Sequence, residues 1–310
     1  MNSLVFSNFA GAYLPLNQVD EAEAAAREAL ASSLDSSDLR FHLYQLAFLK
    51  NDVSGMAKQV AWAAGKPGVE DLFLYGEAST AAYFGLLTKA REFSRAAVTS
   101  AGRADEKEVA ATYEADAAVR EALFGNAAEA KNRVIKAFAL SHGRDMQFAA
   151  ALASAIAQDN ARAEQLAADL AKRLPEDTVV NGNYLPAVHA WLGLHRKDPS
   201  GALEALRSSS SYEFALPYST ATFALHPVYA RGQAYLAGDQ GREAAVEFQK
   251  IVDHRGIVVN EAIGALAASW SRPRLRVAGR HPQSPRRLSG FHQALERRRP
   301  RHSYLYRCES

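Results

Sequence analysis

The segment VYARGQAYLAGDQGREAAVEFQKIVDHRG, residues 228–256, decides the fold class because it reads as two amphipathic helices joined by a short turn. The first helix is predicted to end near Leu236, the letters AGDQG form the turn, and the second helix runs from Arg242 to about Val252. The segment therefore predicts a pair of antiparallel helices that bury their apolar faces against each other.

Four residues of this segment fit close contact between two helices: Gly232, Tyr235, Ala244 and Phe248. The small residues allow the backbones to approach, and the aromatic rings fill the remaining space. The same arrangement occurs in NFAGAYLPLNQVDEAEAAAREAL, residues 8–30. KAREFSRAAV, residues 89–98, has the two alanines at the same spacing, but its aromatic, Phe93, falls one position early and Ser94 stands at the matching offset. There, and in the helix around residue 163, the predicted packing residues are Phe9, Tyr13, Ala22, Ala29, Ala90, Phe93, Ala97 and Ala163.

A single alignment relates these segments along most of the chain. The residue that opens each second helix is small in six of seven cases: Ala22, Met56, Ala90, Ala130, Ala163, Ala202 and Ala244. The first steps match the period of about 34 residues known for one class of helical repeat. Turn-forming letters such as KNDVSG, FGNAAE and HRKDPSG separate the paired segments, and no stretch alternates as a strand would.

Residues 1–267 thereby resemble an array of tetratricopeptide repeats (TPR), with about seven degenerate units. The resemblance implies an all-α fold, a right-handed α-solenoid. The phrases QVAWAAGKPG, EALFGNAAEA and EFQKIVDHRGIVVN are similar to the C-terminal TPR regions of bacterial multidomain signalling proteins, which carry a Ser/Thr kinase or a winged-helix domain. We expect the array to be incomplete at its N-terminus, because no polar capping repeat precedes the first unit.

The resemblance also implies a protein-binding groove, since first helices line the concave surface of TPR arrays. The matching positions are mostly aromatic or amide residues: Phe41, Gln45, Tyr75, Tyr184, Trp191, His226, Tyr229 and Gln233. The family's basic and Asn clamp for a peptide carboxylate is not reproduced, because Ser7 and Gly11 stand at the corresponding positions.

The C-terminal stretch 268–310 differs in composition from everything before it. It holds eleven Arg, no Lys and two acids, so it carries a charge of +9 while residues 1–267 carry −7. Read one base out of step, codons for SGFHQALERRRPRHSYLYRCES can encode QDFTKLWKDADPDIPIYIDAR, which continues the repeat pattern. We interpret 268–310 as a frameshifted, disordered tail. The alternatives are a native basic arm for nucleic acid or a simple disordered tail.

A tail of this kind has a consequence for the last helix pair. The apolar face formed by Tyr235, Phe248 and Ile251 would lack its neighbour. Because repeat arrays are stabilised by contacts between adjacent units, we expect this pair to fray.

The sequence holds none of the common catalytic motifs. There is no kinase signature, GxSxG, HExxH or CxxC, and GKPG (residues 65–68) lacks the Ser or Thr of a phosphate loop. His189 and His195 lie six residues apart, which points them away from each other on a helix. We therefore predict no enzyme activity, no cofactor and no metal.

These observations favour a non-enzymatic scaffold or sensor that binds a protein or peptide. Two alternatives stay open: the regulatory region of a Ser/Thr kinase whose catalytic domain is absent from this chain, and a region of a DNA-associated transcriptional regulator. The single cysteine, Cys308, and the lack of an 18-residue apolar run predict a cytoplasmic protein without a membrane span. No nucleic acid and no small-molecule substrate are expected as partners.

Overall fold

A computed structural model describes residues 3–214 and 223–270. This part of the chain is all-helical and holds no strand. The helices are α1 Ser3–Tyr13, α2 Val19–Ala31, α3 Ser37–Leu49, α4 Val53–Ala63, α5 Glu70–Tyr83, α6 Leu87–Arg103, α7 Lys107–Leu123, α8 Ala127–Leu140, α9 Arg144–Ile156, α10 Asn160–Arg173, α11 Leu185–His195, α12 Pro199–Ala205, α13 His226–Ala237, α14 Gly241–Asp253, α15 Arg255–Val258 and α16 Ala262–Trp270. A π-helical turn, Val180–Tyr184, leads into α11, and a short 3-10 helix, Ser208–Ser211, follows α12. The predicted tail 268–310 lies almost entirely outside the described residues.

Each odd-numbered helix from α1 to α13 packs against the even-numbered helix that follows it. The seven intervening turns share one geometry, because each has a residue in the left-handed region: Asn17, Asn51, Gly85, Gly125, Gln158, Lys197 and Asp239. In every turn the N–H of this residue donates to the carbonyl three positions earlier, and the next N–H donates to the carbonyl five positions earlier. This is the Schellman closure, which satisfies the last carbonyls of the first helix and reverses the chain.

The seven aligned residues at the start of the second helices are all buried: Ala22, Met56, Ala90, Ala130, Ala163, Ala202 and Ala244. The amide N–H of each donates to the carbonyl of the residue that follows the left-handed position. A turn of fixed geometry therefore places a buried residue at the same point of every second helix, where it faces the preceding helix.

Most of the predicted packing residues lie inside these contacts. Buried residues among them are Ala22, Ala29, Ala90, Ala97, Ala163, Ala244 and Phe248, while Tyr13, Phe93 and Tyr235 are half-buried. Gly232 is held against Phe248, since a Cβ at Gly232 would lie 2.6 Å from the ring. Phe9 differs, because it is 47 % exposed while the neighbouring Ala10 occupies the buried face of α1. Successive helical residues point about 100° apart, so both cannot face the core.

The expectation that the α13–α14 pair lacks a neighbour is wrong. Helix α16 packs against α14, where a further first helix would lie, and Trp270 stacks on Phe248 with ring centroids 6.1 Å apart. Phe248 and Ile251 are fully buried as a result. The nine residues Ala262–Trp270 suffice to cover this face because their mean hydropathy is high and four of them are alanine.

The described chain also closes on itself. The side-chain amide of Asn17 donates to the carbonyl of Asp253 at 2.6 Å, and its oxygen accepts the N–H of Gly256 at 2.8 Å. Helix α16 also reaches α5. The end of the described chain is thus bound to the turn between its first two helices.

Candidate protein-binding surface

The eight candidate groove residues lie on α3, α5, α11 and α13, with Tyr184 in the π-helical turn before α11. They divide into two sets by exposure. Phe41, Gln45, Tyr75 and Gln233 are half-buried, and Tyr184, Trp191, His226 and Tyr229 are buried. The second set packs inside the molecule.

The α3 and α5 candidates belong to an aromatic layer between these helices. Phe41 packs edge-on against Phe73 with ring centroids 5.6 Å apart. Its ring also lies over Gly76, where a Cβ would come within 2.9 Å. The glycine thus allows α3 and α5 to approach and leaves Phe41 partly open to solvent. Gln45 lies one turn further along α3 and is half-buried.

Tyr75 stacks on Tyr113 of α7 with ring centroids 4.9 Å apart, and the guanidinium of Arg120 lies 5.8 Å from the Tyr75 ring centroid. Burial raises the pKa of Tyr75 well above its usual range. The Tyr113 hydroxyl donates to Asp71 at 2.9 Å. These rings bring α5 and α7 together and present neutral phenols, not anions.

A charged cluster lies next to these tyrosines, between α5, α6 and α7. Arg120 is 7 % exposed and pairs with Asp116 one turn earlier in α7. Its guanidinium also donates to Ser79 at 3.3 Å and to Ser94 at 3.1 Å. A buried cation thus has its donors distributed over three helices, which fixes their relative positions.

Tyr184 has a structural partner for both its ring and its hydroxyl. The ring stacks on Phe148 with centroids 3.7 Å apart, and the hydroxyl donates to Asp145 at 2.9 Å. Asp145 in turn pairs with Arg144 at 2.8 Å. Because these groups satisfy one another, Tyr184 joins α9 to the start of α11 and offers no open contact.

Trp191 and Tyr229 are neighbours inside the α11–α13 interface, with ring centroids 6.5 Å apart. Tyr229 also packs on Phe248 with ring centroids 5.6 Å apart, and Gln233 lies one turn further along α13. Gln233 is the member of this group that retains partial exposure.

His226 is 2 % exposed and faces the closing part of the chain. Its Nε2 lies 3.5 Å from a carboxylate oxygen of Glu261. Burial lowers its pKa to about 4, despite the opposing effect of Asp116. Together with Ser79 and Arg120, these groups line a cavity of about 10 Å³. A cavity of this size has room for about one water molecule, so it is not a ligand site.

Residues 253–270, which we call the closing segment, cover the face of α5 and the buried side chain of His226. The side-chain amide of Asn260 donates to the Gly76 carbonyl at 3.0 Å and to the Thr80 hydroxyl at 2.9 Å. Tyr44 bonds the same hydroxyl at 2.8 Å. One turn further along, a Cβ at Gly264 would lie 3.2 Å from the Tyr83 ring. The α5 face is therefore occupied by the chain's own residues.

The residues that carry this closure were missed by sequence reasoning: Asn17, Gly256 and Asn260. The polar letters LNQVD around Asn17 are typical of a turn, but nothing local shows that its side chain bonds residues 236 and 239 positions away. The signal that could have drawn attention to Asn260 is the polar pair Asn260–Glu261 in an otherwise apolar run, IVVNEAIGALA.

A second cavity, an open cleft of about 420 Å³, lies between α12 and α13 and includes Arg207, Ser210 and Arg231 in its wall. Arg231 is already engaged, since it pairs with Glu247 at 2.8 Å and also with Glu213. Arg207 pairs with Glu204 at 3.1 Å, so both arginines of the wall have carboxylate partners and do not specify a ligand.

Within the described residues no group of three or more His, Cys, Asp or Glu side chains is placed to hold a metal ion. In the same part of the chain no helix combines the length and apolar character needed to cross a membrane. No protein-family model matches the chain, and no curated protein matches it.

Proposed function

We propose that this chain is a TPR-like scaffold, a right-handed α-solenoid of seven helix pairs that binds a segment of another protein. The observation that carries the proposal is the repeated unit itself: seven turns of one geometry, each followed by a buried residue at the same position. Stacked helix pairs of this kind present extended surfaces, and such surfaces serve as binding sites in helical repeat proteins.

The surface that we assign to the partner is lined by the half-exposed candidates Phe41, Gln45, Tyr75 and Gln233. Partly exposed aromatic rings and amide side chains suit an extended or helical peptide. The acidic body, at −7 for residues 1–267, favours a partner of neutral or positive charge. A cytoplasmic role in bacterial signalling is the setting that the TPR resemblance implies for such a scaffold.

Site-specific photo-cross-linking tests this function in the full chain. A photoreactive phenylalanine at Gln45 or Gln233 is expected to cross-link a protein partner in cells of the source organism. The matched control is the same residue at Ile135, which is 70 % exposed on α8. Products that form equally at all three positions, or at none, would contradict a specific groove.

A further inference from the structure

The first helix leaves an apolar stripe open to solvent. Phe9 and Leu16 are 47 % and 65 % exposed, and Ala12 between them is exposed as well. The Schellman closure at Asn17 keeps Leu16 on the last turn of the helix, two turns beyond Phe9, so the two side chains project from the same side. We call Phe9, Ala12 and Leu16 the α1 stripe.

The α1 stripe points away from α3, which packs against α1. Gly11 marks the side that contacts α3, because a Cβ there would lie 3.0 Å from His42 of that helix. Phe9 lies about 200° from Gly11 around the helix axis. A molecule that covers the stripe therefore leaves the partner-binding candidates on α3 accessible.

The α1 stripe lies in a part of the chain without charged side chains. Residues 3–19, SLVFSNFAGAYLPLNQV, contain no Asp, Glu, Lys or Arg, and Asp20 directly after them pairs with Lys50 at 2.8 Å. Ile135, by contrast, is 70 % exposed but lies one turn from the exposed Lys131. Where two identical surfaces meet about a two-fold axis, a residue near the axis faces its own copy, so an uncharged stripe avoids repulsion between like charges.

The opposite end of the described array is already covered. Helix α16 packs on α14, and Trp270 stacks on Phe248. The α1 stripe of a second copy therefore cannot stack on α14 as a further helix pair would, which excludes the head-to-tail contact that builds filaments. The contact that covers α1 in two copies at once is α1 against α1 about a two-fold axis.

From these observations we infer that the α1 stripe is a dimer interface and that its occupant is the α1 stripe of a second copy of this chain. Antiparallel pairing about an axis near Ala12 places Phe9 of each copy against Leu16 of the other, and the small Ala12 side chain allows close approach. Stable interfaces bury about 1,200–2,000 Å² in total, more than one helix from each copy covers, so we expect a reversible dimer that forms at micromolar concentrations. This dimer goes beyond the proposed scaffold function, because it joins two partner-binding surfaces in one particle.

Sedimentation velocity of the full chain tests the association at concentrations from about 5 to 500 μM. The wild-type chain should pass from monomer to dimer over this range. Leu16→Glu puts a carboxylate against Phe9 of the other copy and should raise the dissociation constant at least about tenfold. The matched control is Ile135→Glu, which changes an equally exposed side chain on α8 and should leave the dissociation constant unchanged.

A mixture of two variants tests which residues face each other. Phe9→Lys alone should weaken self-association as Leu16→Glu does. The two variants mixed in equal amounts should associate at least about tenfold more tightly than either does alone, because a carboxylate of one copy then faces an ammonium group of the other. A variant that had misfolded would not recover in the mixture.

A disulfide tests the position of the axis. Ala12→Cys in a Cys308→Ser background should form a covalent dimer under mild oxidation, because residues on the axis come within the Cα separation of about 4.4–6.8 Å that a disulfide requires. Ala139→Cys, in the same background and exposed on α8, is the control and should stay reduced.

Three results would overturn the inference. The wild-type chain stays monomeric up to the highest concentration, as it would if a lipid surface or a different protein covered the stripe; or Leu16→Glu and Ile135→Glu dissociate equally; or Ala12→Cys forms a covalent dimer no faster than Ala139→Cys.

Discussion

The close approach of α13 and α14 at Gly232 makes the most direct prediction about stability. A Cβ at this position would lie 2.6, 2.8 and 3.0 Å from three atoms of the Phe248 ring. The ring has little room to move, because Phe248 is fully buried between Tyr229 and Trp270. Overpacking costs about 1–3 kcal/mol, and the fully buried ring places this site in the upper part of that range, at about 2–3 kcal/mol, while alanine gains about 1 kcal/mol over glycine in helix propensity.

We therefore expect Gly232→Ala to lower the free energy of unfolding by about 1–2 kcal/mol. With a urea dependence of about 3 kcal/mol per molar, the midpoint should fall by roughly 0.5 M. Circular dichroism at 222 nm across a urea titration measures this shift. The double variant Gly232→Ala, Phe248→Leu should be less destabilised than the sum of its two single variants, because the shorter side chain relieves the overlap.

The matched control is Gly102→Ala in α6, where nothing lies within 4 Å of the added Cβ. This substitution should raise the midpoint, since only the propensity gain remains. If Gly232→Ala is as stable as Gly102→Ala, then the contact with Phe248 does not require a glycine, and the packing argument fails.

Three further predictions follow from charge and backbone geometry. Lys197→Gly should stabilise the chain by about 0.5–1 kcal/mol, because a non-glycine residue is strained at positive φ. Gly85→Ala in the equivalent turn should destabilise the chain for the same reason, and thermal unfolding of both variants measures the two effects. Burial lowers the pKa of His226 to about 4, below the 6.5 of the unfolded chain, so the unfolded state takes up this proton first as the pH falls. The free energy of unfolding should therefore fall by about 3 kcal/mol as the pH drops from about 6.5 to 4, because neutral His226 stabilises the folded chain only above this range. His226→Gln should remove this part of the pH dependence in urea titrations. Arg120→Met leaves the Asp116 carboxylate buried without its cation and should lower the free energy of unfolding by about 3–5 kcal/mol. Adding Asp116→Asn should recover part of that loss, because no buried charge is then left unpaired. Equal unfolding midpoints for the single and double variants would contradict the pairing.

Local features of the fold were open to prediction from the sequence because their causes are local. The Asp239 turn follows from the letters AGDQG, and the contact of Gly232 with Phe248 follows from residue size and helical spacing. Met56 was aligned with six alanines and is buried as they are, although its side chain is larger.

The burial of the candidate groove residues was less predictable, because it depends on contacts with other helices that local sequence does not specify. The helical position of His226 on α13 was foreseen, but its burial against Glu261 of the closing segment was not. Tyr184 was expected to face a groove, and its ring instead packs flat on Phe148 of α9. These partners lie 35 and 36 residues away in the sequence, and no helical period encodes which surfaces a chain brings together over such a distance, so these contacts required the structure.

The bracket between Asn17 and residues 253–256 also bears on how the chain folds. An open row of helix pairs can nucleate anywhere and grow between neighbours, since all its contacts are short in sequence. Here the turn after α1 and the face of α5 obtain their final partners only from residues about 180 to 240 positions later. Contacts of such high order slow the last step of folding. On the ribosome, the first helix pairs are made early, and the side chains of Asn17 and Thr80 obtain these partners only when the end of the described chain has been synthesised.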